Sequence, residues 1–433
     1  MRSHPVILLL LLSFLFSSTT VDARSQPIEE LLKKRLPDAK IKRLANRAPY
    51  QGIFEIRLRQ PLDHKNEAAG YFEQLLYLSH YDYKKPMVIV TEGYSANNRT
   101  TEVAKMLDAN QLVVEYRYAG VSKPAKMDWQ YLTSDQATED LHRIRRLFRK
   151  IYRKDWISTG ISKGGTTTLV YKAKYPKDVC VAIPYVAPLA FAQEDERTDI
   201  HQAQIGPEAC RQDIKDFQRL ALSHRAKIIP MIDTFAANHG YSFTIGTDAA
   251  FEYAVLEYPF SFWQWGANCE EIPDETASQQ EIFDYLNNVV GWNFYSDAIY
   301  DYFLPSFYQF LTELGYYGFP KDHVEDLLVA VKNPTNLTFG PRDADLTFKP
   351  YLVPVNDWLM KKGHRILYIY GELDTWTACG VVPSPKTDAL RMVKEGGSHS
   401  TRIKDFSKEE QQKIYDKLKK WLKVPIKPLA TSG

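Results

Sequence analysis

The pentapeptide Gly160-Ile161-Ser162-Lys163-Gly164 gives the strongest indication of how this 433-residue chain folds. A short run of strand formers, Trp156-Ile157-Ser158-Thr159, precedes it, and residues 166–173 follow with a helical pattern. A serine on a sharp turn from strand to helix is held in a strained conformation that lifts its hydroxyl above the sheet. Glycines two residues before and after it avoid a clash where strand and helix approach. The setting predicts an α/β-hydrolase fold with Ser162 as the nucleophile.

A serine hydroxyl needs a base and a group that orients that base, and in this fold both partners follow the serine in the order acid, then histidine. The strand-forming run 365–370 ends in Gly371-Glu372-Leu373-Asp374, so Asp374 lies just past the carboxyl end of a strand, where open sheets place their chemistry. A glycine-rich loop after the next short strand carries His399. We therefore predict a triad of Ser162, Asp374 and His399. Glu372 is an alternative acid, but the turn after Gly371 favours the later position.

Two rival assignments can be weighed on position. Of the ten histidines, only His399 has both the right order and a loop position after a strand. Lys163 would suggest a Ser–Lys dyad, but adjacent residues on a tight turn point apart. We interpret the backbone N–H of Lys163 as one half of the oxyanion hole.

The other half of the oxyanion hole is expected on the loop after the third core strand, which we interpret as Pro86-Met87-Val88-Ile89-Val90. Gly93 lets this loop pass close to substrate, and the N–H of Tyr94 is our candidate donor. Glu92 has two interpretations: a buried loop acid bonded to backbone amides, which we favour, or a partner for a substrate amine.

The distance along the chain between the triad members indicates an insertion. Ser162 and Asp374 are 212 residues apart, far more than one helix and two strands require. The strand at 180–186 continues the core, after which residues 191–355 change to a helical and strongly aromatic pattern. We predict a mostly helical cap there, with the α/β-hydrolase core formed by residues 24–190 and 356–433. Two sets lie at helical spacing: Val255, Tyr258, Phe262 and Trp265, and Phe303, Phe307, Phe310 and Leu314.

Most of these aromatic residues belong to the cap's own core, and a minority line the cleft, where flat rings match a proline ring or a peptide backbone. A lid that narrows the cleft excludes folded proteins, and an acid in it can hold an N-terminal ammonium. The cap acids considered are Glu194, Asp195, Glu252, Glu257, Glu270 and Glu271. Our substrate-binding candidates are Glu92, Glu252, Glu257, Trp263 and Trp265, and the sequence does not choose among the acids.

Composition and termini narrow the class of protein. A net charge of +2 with a pI near 8.1 gives no electrostatic case for nucleic acid. The apolar run 6–16 is too short for a stable membrane anchor, and Val21-Asp22-Ala23 fits a cleavage site, so we predict a signal peptide at residues 1–23 and a secreted or periplasmic protein.

The four cysteines allow three pairings if all are bonded. Cys210 and Cys269 both fall in the insertion and form the favoured bridge, whereas Cys180 and Cys379 lie at opposite ends of the sheet. No Cys/His spacing indicates a zinc site, and we expect neither a metal nor another cofactor. The sequence does not reveal the oligomeric state.

Three motif blocks carry a resemblance to a known family. They are Gly160-Ile161-Ser162-Lys163-Gly164-Gly165, Gly371-Glu372-Leu373-Asp374-Thr375-Trp376 and Gly397-Ser398-His399-Ser400-Thr401-Arg402-Ile403. Together they resemble the bacterial secreted tripeptidyl aminopeptidase family of serine peptidases. A fourth block, Glu115-Tyr116-Arg117-Tyr118-Ala119-Gly120, resembles that family and also the related lysosomal prolylcarboxypeptidase and dipeptidyl peptidase family.

The resemblance covers most of residues 75–403 and implies an enzyme that releases short peptides from free N-termini, often after proline. It also implies the same triad of Ser162, Asp374 and His399. Our leading hypothesis is a secreted serine exopeptidase acting on peptides. An esterase or lipase on the same scaffold is the alternative, against which the aromatic and acidic cap argues mildly. A non-catalytic binding protein is disfavoured by the intact triad.

Overall fold

The computed structural model describes residues 27–429, so the predicted signal peptide lies outside the described residues. A nine-stranded sheet forms the centre. Its strands are β1 (Lys40–Leu44), β2 (Gly52–Pro61), β3 (Tyr71–His80), β4 (Met87–Thr91), β5 (Asn110–Val114), β6 (Trp156–Ile161), β7 (Val181–Tyr185), β8 (Leu367–Gly371) and β9 (Leu390–Lys394). Their order in the sheet is β1-β2-β3-β5-β4-β6-β7-β8-β9. The first three pairings are antiparallel and the other five parallel, which confirms the predicted α/β-hydrolase fold.

Twelve α-helices accompany the sheet in the described chain. They are α1 (Ile28–Arg35), α2 (Glu102–Met106), α3 (Ser134–Phe148), α4 (Lys163–Lys174), α5 (Arg197–Gln202), α6 (Glu208–Ser223), α7 (Arg225–His239), α8 (Thr247–Trp265), α9 (Gln279–Val289), α10 (Asp297–Gln309), α11 (Leu352–Lys362) and α12 (Lys408–Leu422). Helices α2 and α12 pack on one face of the central strands and α3 on the other. Strands β4, β7 and β8 are buried throughout, which is why they appear in the sequence as continuous apolar runs.

The strand predicted as the third of the core is the fourth in the chain, because β1 precedes it. Strand β1 pairs only with β2 at the edge of the sheet, and its five residues are exposed or half-buried. Its sequence, Lys-Ile-Lys-Arg-Leu, therefore lacks the apolar content that marks the central strands. The C-terminal helix α12 begins with a capping box between Ser407 and Glu410.

The insertion between β7 and β8 holds helices α5 to α10, and the cap they form shares one continuous apolar core with helix α4. Helix α11 packs against α4, so the chain has returned to the hydrolase core by Leu352. Within residues 27–429, no helix is both long and apolar enough to cross a membrane.

A disulfide joins Cys210 to Cys269, the pairing that the sequence favours, while Cys180 and Cys379 are free thiols. The bridge ties the start of α6 to the turn after α8 and closes a loop between cysteines 59 residues apart. Closing a loop of this length restricts the unfolded chain by about 4 kcal/mol in the chain-entropy treatment, and measured values are often smaller.

The double variant Cys210→Ala/Cys269→Ala is therefore expected to lower the free energy of unfolding by about 2–4 kcal/mol. Denaturant unfolding without reductant measures this loss, and wild-type protein in reductant is the matched control. An unchanged unfolding midpoint in both samples would show that the bridge does not stabilise the cap.

Candidate active site

The nucleophile turn lies between β6 and α4. Ser162 has φ 56° and ψ −127°, a backbone conformation with positive φ that residues other than glycine rarely adopt. A Cβ on Gly160 would lie 2.2 Å from the carbonyl oxygen of Gly164, and one on Gly164 would lie 2.5 Å from that of Thr91. Strand and helix therefore approach as closely as the sequence predicts, and only glycine fits at both positions.

The acid and the histidine come together at the ends of β8 and β9. Asp374 is completely buried, and its Oδ2 lies 2.8 Å from Nδ1 of His399. Its Oδ1 accepts a hydrogen bond from the N–H of Trp376 at 3.2 Å, so both carboxylate oxygens have fixed partners. Glu372 is exposed and accepts from the N–H of Gly396 instead. His399 and Ser162 line the same cleft, which brings the three predicted residues into one site.

The loop that carries His399 is held by the cap. The N–H of His399 donates to the carbonyl of Gln264 at 2.8 Å, and the ring of Trp265 stands edge-on to the imidazole with centroids 5.6 Å apart. Both residues lie at the C-terminal end of α8. The cap therefore orients the base in addition to covering the site.

The two expected oxyanion donors lie side by side at the cleft. A Cβ on Gly93 would come within 2.6 Å of the Lys163 Cβ, so only glycine allows the loop after β4 to pass this close to the nucleophile turn. Lys163 and Tyr94 both line the cleft. Within residues 27–429, neither backbone N–H donates to another protein group, which leaves both free for a substrate oxygen.

The cleft has a volume of about 600 Å³ and is bordered mainly by rings from the cap. Phe303, Phe307, Phe310 and Leu314 all line it, together with Trp265. Val255, Tyr258 and Phe262 are instead buried in the cap's own core. The aromatic residues divide between the cap's core and the cleft as expected. All four residues of the second helical set, Phe303 to Leu314, face the cleft.

Glu257 is the buried cap acid that reaches the cleft. It is 3% exposed and accepts hydrogen bonds from the Ser261 hydroxyl at 2.8 Å and from the hydroxyl of Tyr317. Burial raises the pKa of Glu257 to about 7, although both hydrogen bonds oppose the shift. No lysine or arginine of the described chain forms an ion pair with it. The buried carboxyl group of Glu257 therefore has no charged partner, and it lines the same cleft as the nucleophile Ser162.

Glu92 lines the cleft but has a different partner from the expected one. We expected backbone amides, whereas the Arg99 guanidinium lies 2.5 Å from its carboxylate. Burial raises the pKa of Glu92, and the charge of Arg99 opposes that effect. The interpretation as an amide-bonded loop acid is wrong, because the following loop folds Arg99 back over the carboxylate.

Two further substrate-binding candidates lie outside the cleft. Glu252 is completely buried within the cap, where it accepts from Arg225 and from three consecutive backbone N–H groups, those of residues 329–331. Trp263 is 3% exposed and its ring packs on Gly206, where a Cβ would lie 2.2 Å away. Both residues stabilise the cap, so their assignment to substrate binding is wrong.

The remaining cap acids also lie elsewhere. Glu194 accepts from Thr335, Asp195 pairs with Arg197, and Glu270 and Glu271 lie on the turn after α8, outside the cleft. Conversely, four residues for which no site role was predicted line the cleft: Tyr316, Tyr317, Trp376 and Arg402. Trp376 and Arg402 lie within the motif blocks that contain Asp374 and His399. Their position in these blocks could have predicted that they line the cleft.

These features define a serine hydrolase of the α/β-hydrolase fold. The chain belongs to the PS-10 peptidase S37 family, whose model matches residues 26–427. It is thus a serine peptidase, and the resemblance to the tripeptidyl aminopeptidase family is confirmed.

Among known proteins, the chain is similar to the prolyl tri/tetrapeptidyl aminopeptidase of Streptomyces mobaraensis. The two are 32% identical over 392 residues, which cover 87% of this chain and 82% of the relative. Two solved structures are more distant. VinJ is 13% identical with a TM-score of 0.42, covering 85% of this chain and 98% of its own. The proline iminopeptidase of Mycobacterium smegmatis is 14% identical with a TM-score of 0.41, covering 84% of this chain and 96% of its own.

Proposed function

We propose that this protein is a secreted serine exopeptidase that releases tripeptides or other short peptides, including those ending in proline, from free N-termini. In the proposed reaction His399 takes the proton of Ser162 as its Oγ attacks the peptide carbonyl, and the backbone N–H groups of Lys163 and Tyr94 hold the oxyanion. His399 then protonates the leaving amine, which leaves an acyl-enzyme that water hydrolyses.

The observation that carries this proposal is the uncompensated carboxyl of Glu257 in the same cleft as Ser162. A peptide's N-terminal ammonium would supply the charge that this group lacks, and two hydroxyl groups already orient its oxygens. Glu92 is the weaker candidate, because Arg99 already neutralises it. A simple acyl ester would bring no cation to Glu257, which disfavours the esterase alternative.

The cationic residues at the cleft do not favour the opposite direction of attack. A carboxypeptidase needs a free cation for the substrate's C-terminal carboxylate, and the basic residues at the cleft are Arg99, Arg402 and Lys163. Nζ of Lys163 already donates to the carbonyl of Gly93. Arg99 is paired with Glu92, and Nη1 of Arg402 donates to the carbonyls of His399 and Thr401 at 3.2 and 2.8 Å. Both guanidinium groups are thus already engaged in holding loops beside the site.

Support for cleavage after proline comes from the aromatic wall of the cleft and from the relative. The cleft-lining rings of Phe310 and Tyr316 stack with centroids 4.5 Å apart, and the ring of Trp376 lies 5.4 Å from that of Tyr316. Flat, rigid rings favour contact with a pyrrolidine ring at little entropic cost. The relative from Streptomyces mobaraensis carries prolyl specificity in its name. Secretion rests on the sequence of residues 1–23 alone.

A matched set of free, N-acetylated and C-amidated peptides of three to six residues tests the direction of attack. Acetylation removes the ammonium and is expected to lower kcat/KM by about one to two decades, the value of a charged hydrogen bond of roughly 1.5–3 kcal/mol. C-amidation is expected to have little effect. Product masses identify the bond that is cut. Equal cleavage of free and acetylated peptides would rule out the aminopeptidase, and cleavage of acyl esters alone would favour the esterase.

The variant Glu257→Gln assigns the contact to a residue. It is expected to lower kcat/KM for free peptides by about one to two decades and to leave acetylated peptides nearly unaffected. In the wild type, the preference for the free amine should rise as the pH increases through about 7, because Glu257 becomes ionised there while the peptide amine stays protonated to about pH 8. In Glu257→Gln this preference should not change between pH 5.5 and 7.5. A variant that keeps the full, pH-dependent preference would assign the contact elsewhere.

A further inference from the structure

Lys163 carries a buried amino group that the proposed reaction does not use. The residue is 3% exposed, and no carboxylate in the described part of the chain forms an ion pair with it. Its Nζ lies 3.6 Å from the centre of the Tyr116 ring, a contact that compensates only part of the lost hydration. Burial lowers the pKa of Lys163 well below its ordinary value, which the distant charge of Glu313 opposes. A methionine would fill the same space without burying a polar amine, so the amino group of Lys163 indicates a function.

The hydrogen bond made by this amino group indicates the function. Nζ of Lys163 donates to the carbonyl oxygen of Gly93 at 2.8 Å. That oxygen and the N–H of Tyr94 are the two ends of one peptide group, which is planar, so fixing the oxygen also fixes the direction of the N–H. The carbonyl of Tyr94 is held in turn by the N–H of Tyr116 at 3.1 Å.

We propose that Lys163 is a positioning residue that orients and polarises the second oxyanion donor, the N–H of Tyr94, through the carbonyl of Gly93. A hydrogen bond donated to the oxygen end of a peptide group draws electron density toward that end, which makes the N–H a stronger donor. Lys163 then serves both halves of the oxyanion hole, one by its own backbone N–H and the other by its side chain. The inference rests on Ser162 being the nucleophile of the proposed function.

The variant Lys163→Met tests this role. Complete loss of an oxyanion donor lowers kcat by about 10²–10³-fold. Lys163→Met leaves the N–H of Tyr94 in place but less well oriented, so we expect kcat to fall by about 10–100-fold. KM for peptides should stay close to that of the wild type, because the oxyanion forms only in the transition state. The rate of p-nitrophenyl acetate hydrolysis should fall by the same factor, since its acylation passes through the same oxyanion.

Two further variants separate positioning from folding. Lys163→Gln keeps an N–H donor on a shorter side chain and should recover part of the rate that Lys163→Met loses. Lys172→Met is the matched control on the same helix: Lys172 is also buried, and its Nζ donates to the carbonyls of Pro176 and Val179 at 3.0 and 2.7 Å. It should lower the thermal unfolding midpoint and leave kcat unchanged.

A folded Lys163→Met enzyme with wild-type kcat on both substrates would overturn the inference. So would equal losses in Lys163→Met and Lys163→Gln with a raised KM, which would indicate general damage to the cleft. If wild-type protein hydrolyses the ester but no peptide, the proposed peptidase function fails while the role of Lys163 can still be measured on the ester.

Discussion

Replacing Ser162 by alanine is expected to lower kcat by about 10⁴–10⁶ while the fold and substrate binding persist. The reason is that no other group of the site can form the acyl-enzyme, whereas the backbone donors of the oxyanion hole and the cleft itself remain. His399→Ala should cause a loss of similar size, because a serine without its base is as unreactive as an absent one. The triad acts as a unit, so the double variant should be little slower than either single variant.

Peptide turnover and labelling by a serine-directed fluorophosphonate measure this prediction together. Wild-type protein should be labelled at Ser162 alone, as identified by peptide mass, and Ser162→Ala should take no label. Ser400→Ala is the control, since Ser400 is an exposed serine at the same cleft, one residue after the base. Near-normal turnover by Ser162→Ala, or a label elsewhere, would mean that the reaction uses another nucleophile.

The nucleophile turn could be predicted from sequence because its determinants are local. Gly160, Ser162 and Gly164 lie within five residues, and a Cβ on Gly160 would meet the carbonyl of Gly164 within the same turn. The order and loop positions of Asp374 and His399 follow equally from the alternation of strands and loops. The edge strand β1 escaped detection because neither of its faces is apolar.

The choice among cap residues could not be predicted, because it depends on how α8 packs. This helix is buried on nearly every side, so it has no amphipathic pattern that would tell the cleft face from the core face. Glu252 and Glu257 are five residues apart and point to different surroundings, as do Trp263 and Trp265 two residues apart. Which side faces Ser162 is set by contacts between cap and core that join distant parts of the chain.

Hydrogen bonds distinguish the two acids of α8 in a way that the sequence cannot. The carboxylate of Glu252 accepts from Arg225 and three backbone N–H groups, which hold its pKa below the ordinary value in spite of burial. Glu257 accepts from only two hydroxyl groups and no cation, and burial raises its pKa to about 7. The carboxylate of Glu252 accepts from four donors and stabilises the cap, whereas the carboxylate of Glu257 can still accept a hydrogen bond from a ligand. Perturbed acids of the second kind are concentrated at functional sites.

The variant Asp374→Asn is expected to lower kcat by about 10⁴ without loss of the fold. The N–H of Trp376 donates to Oδ1 and therefore requires an acceptor at that position. The asparagine must place its amide oxygen there. The amide nitrogen then faces Nδ1 of His399, at the place of the 2.8 Å contact. A nitrogen that receives this N–H must be unprotonated, so the ring proton moves to Nε2, the atom that has to act as base toward Ser162. The geometry of the loop therefore dictates the inactive tautomer.

Steady-state turnover and the rate of fluorophosphonate labelling should both fall in Asp374→Asn, while the thermal unfolding midpoint stays close to that of the wild type because the substitution preserves shape. Glu372→Gln is the matched control two residues earlier. Its amide oxygen can still accept from the N–H of Gly396, and we expect wild-type activity. Loss of activity in Glu372→Gln with retention in Asp374→Asn would assign the acid of the triad to Glu372. Retention in both would show that His399 is oriented by its contacts with the cap, the carbonyl of Gln264 and the ring of Trp265, without a carboxylate.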